Sequence, residues 1–81
     1  MELLEDISTY TQRRRREIGQ RIKQVRTQKG FLQEQAAELL GCTRVTFTRV
    51  ELGLSELTVS ELEYLALVWK VPVRTLLVQP A

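Results

Sequence analysis

The sequence predicts an all-α fold, and three observations carry that expectation. Apolar residues recur at helical spacing in several separate stretches, no Val/Ile-rich run alternates as a strand would, and Gly41 divides two short segments whose residues suit closely crossing helices.

The first periodic set is Ile18, Ile22 and Val25, an i, i+4, i+7 stripe on a helix that starts near Thr9 or Thr11 and ends at Lys29-Gly30. Phe31 and Leu32 bridge to a second helix opening at Gln33. Ala36 and Ala37 are expected to be buried, because a small side chain lets a neighbouring helix approach without holding the backbones apart. Gly41 follows Leu40 where that helix should stop, since glycine accepts a left-handed turn without a Cβ penalty. Thr43 then caps the next helix, spanning 43–52, by accepting from free N–H groups of its first turn. Phe47 and Val50 turn one face of it into the core, leaving Arg44, Val45, Thr48 and Arg49 outward. The pair reads as a helix-turn-helix.

Gly53 ends the third helix, and Thr58-Val59-Ser60-Glu61 forms a capping box for a fourth. Val59, Leu62, Leu65, Ala66 and Trp69 are its expected buried stripe. Pro72 suits the first turn of a short fifth helix containing Val73, Leu76 and Leu77. Residues 1–15 form an N-terminal extension to a domain spanning 16–81. Leu3, Leu4, Ile7 and Tyr10 or Thr11 have helical spacing there, and Glu2, Glu5 and Asp6 favour a helix N-terminus. A frayed end, packing on the chain's own core and packing on a dimer mate all remain open for it.

Composition narrows the function classes. Eighty-one residues make one small domain, whose modest core makes a dimer unsurprising. No apolar run approaches the roughly 20 residues a membrane span needs, and no basic-then-apolar leader opens the chain, so a cytoplasmic location is expected. With one cysteine and no histidine, neither an intramolecular disulfide nor a Cys/His zinc site is expected, and no cofactor is implied. Cys42 is expected to serve as a small core hydrophobe. An enzyme is disfavoured, for there is no Gly-rich phosphate loop and no nucleophile with a matched base.

The formal charge of +2 conceals an asymmetry. Residues 13–49 hold ten Lys/Arg against three acids, a net of +7, whereas 1–12 carry −3 and 50–81 carry −2. Basic charge concentrated on the segment that holds the helix pair is the footprint of a polyanion-binding face.

Residues Ile18 to Leu77 resemble the phage-repressor and Cro-like helix-turn-helix family, often called the XRE family. The match rests on Arg26, Gln33, Ala37, Gly41 and Glu51-Leu52-Gly53. The resemblance implies a five-helix DNA-binding domain whose third helix lies in the major groove of double-stranded DNA, with a symmetric dimer on a palindromic site. It places Arg44, Val45 and Arg49 on base-reading positions, with Thr48 beside them, and Gln33 and Thr43 on phosphate-contacting positions. The chemistry agrees: an arginine fork suits guanine O6 and N7, and valine can touch a thymine methyl. Arg26 and Glu51 are implied to form a partly buried ion pair orienting the reading helix. Arg13 to Arg16 would cover every face of a helix, so one or two approach the backbone, Arg16 being the candidate.

The sequence departs from the family pattern in three places. Leu32 stands where Thr or Ser usually caps the second helix, Lys70 replaces the glycine usual after the fourth, and Leu54-Ser55-Glu56-Leu57 replaces a loop that often grips phosphates. The alternative reading follows from these: a protein-interaction or antitoxin-like module, for which Leu52, Leu54 and Leu57 beside the reading helix would supply the surface. Trp69, Val71, Val73 and Leu77, or the N-terminal helix, are the candidates for a homodimer contact.

Overall fold

The computed structural model describes residues 5–78, which form four α-helices and one 3₁₀ turn with no strand among them. They are α1 (Ile7–Gln28), α2 (Gln33–Leu40), α3 (Arg44–Glu51), α4 (Val59–Trp69) and the turn Val73–Leu76. The fifth helix of the sequence reading is thus a single 3₁₀ turn. Pro72, expected in its first turn, is instead the capping residue just before it, and the turn's bonds are of the tight i to i+3 kind, Thr75 N–H donating to the Pro72 carbonyl at 2.9 Å.

α1 begins earlier than its sequence signals. Asp6 caps it by accepting from the Thr9 N–H at 2.8 Å, a bond that holds the Asp6 carboxyl below its ordinary value. From there the helix crosses positions 15 and 16 without a break, so the described part of the extension is the first two turns of α1. Ile7 and Tyr10 on those turns are exposed, and Leu3 and Leu4 lie outside the described residues.

The core gathers one face from every element. Ile22 and Val25 of α1, Ala36 and Ala37 of α2, Phe47 and Val50 of α3, Leu62, Leu65, Ala66 and Trp69 of α4, and Leu76 of the final turn are buried together. Phe31 meets Trp69 edge to face, with centroids 6.0 Å apart. Val59 does not join this cluster and is 72% exposed, because it is the first residue of α4 and precedes the turn on which Leu62 faces inward. Trp69 is 1% exposed within its own molecule, which removes it from the candidate dimer contacts. Leu57 packs partly buried against the core, while Leu54 stays exposed.

Caps fix where each helix starts. Thr43 accepts from Thr46 N–H, and Thr58 and Glu61 exchange both bonds of a capping box, at 3.1 and 2.8 Å. Leu32 supplies no acceptor for α2. Instead the Gln35 carboxamide reaches back to accept the Leu32 N–H at 2.8 Å, which retains half of a capping box. Gly41 is left-handed at φ 69°, and Lys70 adopts the same region at φ 58° in place of a glycine, at a cost of about 1 kcal/mol.

Candidate nucleic-acid interface

α3 is held by its inner face and left open on its outer one. Phe47 and Val50 are buried, whereas Arg44, Val45 and Arg49 are exposed and Thr48 is half-buried. Four side chains expected to read bases therefore share the solvent side of a two-turn helix.

Two glycines, both outside the sequence-predicted site, set how closely α1 approaches α3. A Cβ on Gly19 would collide with the Val50 carbonyl oxygen and lie 2.7 Å from that of Glu51, so only glycine lets α1 cross the end of α3 here. A Cβ on Gly53 would sit 2.8 Å from the Arg16 Cα, so the left-handed turn after α3 rests on the backbone of α1. The signal for Gly19 was a glycine inside a helical pattern, where it costs about 1 kcal/mol and calls for a packing reason.

That crossing brings a polar chain together. Arg26 Nε donates to Glu51 Oε2 at 2.7 Å and its Nη1 to the Phe31 carbonyl at 2.8 Å, with both charged residues buried. Glu51 Oε1 accepts from Gln33 Nε2 at 2.8 Å. The Gln33 oxygen in turn accepts from Thr48 Oγ1 at 3.3 Å and Arg44 Nε at 3.4 Å. A buried guanidinium on α1 is thus linked through Glu51 and Gln33 to two outward side chains of α3. Gln33 turns toward α3 and meets the solvent only in part. Thr43 is exposed, with its hydroxyl serving the cap and Thr46.

The basic segment divides sharply by partner. Arg13 bonds Glu5 and Glu17, Arg14 bonds Glu17 and the Leu77 carbonyl, and Arg15 bonds Glu56. Arg21 donates to the Thr75 carbonyl at 2.7 Å. Three of the four consecutive arginines therefore hold the chain together, and Arg16 alone of them has no acidic partner among the described residues. Arg44 lies 3.9 Å from Glu34 at the exposed surface, while Lys23 and Arg49 make no ion pair among the described residues.

A groove of about 410 Å³ opens between α1 and α3. Arg16, Gln20 and Lys23 line one side, and Gln33, Thr48, Glu51 and Leu52 the other. Gln20 and Lys23 were not singled out in the sequence, although they follow Arg16 at i+4 and i+7 and so share its face. Cys42 packs against the core, and burial, followed by the Glu61 carboxylate, pushes its thiol up. Among the described residues no helix is long and apolar enough to cross a membrane.

Similarity to known proteins agrees with this architecture. A family model described as a helix-turn-helix domain matches residues 17–76. The fold is similar to that of the restriction-modification controller protein C.AhdI from Aeromonas hydrophila, with a TM-score of 0.72 and 31% identity over 80% of this chain and 94% of that one. It is similar also to a hypothetical transcription factor, NHTF, from Neisseria, with a TM-score of 0.74 and 26% identity over 99% of this chain and 87% of the other. The DNA-binding domain of BldD gives a TM-score of 0.70 and 28% identity over 83% and 97% of the two chains. No curated protein sequence matches the chain. From the glycine-stopped helix pair, the exposed outer face of α3 and these matches together, the chain belongs to the helix-turn-helix family, in its phage-repressor and Cro-like (XRE) branch.

Proposed function

We propose that this protein is a transcriptional regulator that recognises a specific sequence in double-stranded DNA by inserting α3 into the major groove. The observation that carries the reading is the outer face of α3, where Arg44, Val45 and Arg49 are exposed on a helix anchored from behind by the Arg26–Glu51 pair. Arg44 and Arg49 serve as the guanine readers, Val45 meets thymine methyls, and Thr48 supports them. Gln33, Thr43 and Arg16 contact phosphates and fix the register.

The working form is a symmetric homodimer on a palindromic site, with half-sites one helical turn, about 34 Å, apart. Leu67 and Tyr64, exposed on α4, and the half-buried Val71, Val73 and Leu77 supply the apolar surface for a two-fold contact. A second reading draws support from Leu52 and Leu54, which are 62% and 57% exposed close to α3 and would suit a protein partner.

Selection from random duplexes followed by titration tests the choice. The DNA reading expects one preferred, two-fold symmetric sequence, and Arg49→Ala is expected to weaken binding to it by about 1–3 kcal/mol while changing random-duplex affinity less. Absence of any preferred duplex, together with a protein partner lost on Leu52→Glu, would favour the second reading.

A further inference from the structure

The resemblance places phosphate-gripping residues in the loop after the third helix, and here that loop carries Leu54, Glu56 and Leu57. Its carboxylate is occupied: Glu56 accepts from Arg15 of α1 at 2.7 Å. One residue further along α1 the side chains change neighbours. Arg16, Gln20 and Lys23 line the groove facing Thr48 of α3 and Leu52 just after it, and Arg16 and Lys23 have no carboxylate partner among the described residues. Gly53 packs on the Arg16 backbone, so this stripe is held at a fixed place beside the end of α3.

We propose that the groove between α1 and α3 seats the sugar-phosphate backbone of the DNA, with Arg16 and Lys23 as its cationic contacts and Gln20 as a neutral donor between them. The proposal rests on the DNA reading above and assigns it a backbone clamp on α1 where the loop offers none. Three features of the structure fit that occupant. The two cations are exposed and have no acidic partner among the described residues, they line the same groove as Thr48, and the acid lining that groove, Glu51, is buried and already paired with Arg26. A polyanion passing along α3 therefore meets net positive charge from α1. Because the contacts are to phosphate, they carry no base preference.

Binding of the full chain to its selected duplex and to a random duplex, each followed over a range of salt, tests the proposal. Each phosphate contact contributes about 0.9 to the slope of log affinity against log salt, so Arg16→Gln and Lys23→Gln, each removing one contact from both protomers of the dimer, are each expected to flatten that slope by about 1.8 on both duplexes. Arg74→Gln, which removes an exposed cation from the C-terminal turn, is expected to leave it unchanged. As a second variant, Gln20→Lys, which adds one cation on each protomer of the dimer, is expected to steepen the slope by about 1.8, which does not depend on a loss of function. Unchanged slopes for Arg16→Gln, Lys23→Gln and Gln20→Lys, with Arg49→Ala still weakening the selected duplex, would overturn the clamp and leave the DNA reading intact. A wild-type chain that binds neither duplex overturns both.

Discussion

The two flanks of α1 carry the same kind of residue and use it differently. Toward the C-terminal turn, Arg14 and Arg21 donate to the carbonyls of Leu77 and Thr75, so their charge closes the chain's own structure. Toward α3, Arg16 and Lys23 line a groove and have no acidic partner among the described residues. A net charge summed along the sequence counts both flanks alike, yet a guanidinium whose N–H groups are already taken by the chain has fewer left to donate to a phosphate than a free one does. The set of cations open to a phosphate is therefore smaller than the basic segment, and it includes Arg16 and Lys23 in the groove beside α3.

Substitutions on either flank should separate stability from binding. The largest effect is expected at the buried end of α1, where removing one partner strands a charge. Glu51→Ala or Arg26→Ala should cost about 3–5 kcal/mol in chemical denaturation, and the double variant should lose less than the sum. Additive losses would break the picture of a direct pair. Next comes Gly19→Ala, which presses a methyl into the backbone of α3 and should cost about 1–3 kcal/mol by thermal melting, with larger residues worse. Arg14→Gln and Arg21→Gln, on the anchored flank, should each cost about 1 kcal/mol, whereas Arg16→Gln and Lys23→Gln should stay within about 0.5 kcal/mol. Equal destabilisation by all four would erase the distinction between the flanks.

The smallest effect concerns acid. Thr9 holds the Asp6 carboxyl below its ordinary value, and Arg14 followed by Arg13 does the same for Glu17. A carboxylate depressed in the folded state contributes its stability above its unfolded pKa and loses it as pH falls through the folded value. The first turns of α1 should accordingly loosen at the acid end of the carboxylate range, read as a partial loss of helical circular dichroism below about pH 4. Asp6→Asn should make that loss less dependent on pH.

How far the sequence could be read follows from which signals are local. Gly41, Thr43 and the Thr58–Glu61 box act within a turn of their own position, so residue type alone announced them. Phe47 and Val50 announced the inner face of α3 by spacing, and with it the exposure of Arg44, Val45 and Arg49. The start of α1 was misplaced because Asp6 caps as well as any threonine further on, and nothing local ranks the two. Partner choice was the harder part. Whether Arg15 or Arg16 is neutralised depends on Glu56, 41 positions beyond Arg15, and Arg14 reaches a carbonyl 63 positions away, neither of which a linear reading of charge finds.

Trp69 is the chain's single tryptophan, and its ring rests edge to face on Phe31, just ahead of the residues that open α2. Its fluorescence therefore arises from one buried location where the first interhelical connection meets α4. Excited selectively, it should report the cooperative opening of the whole domain through a red shift with no added dye, while leaving the outward side of α3 unlabelled for titration.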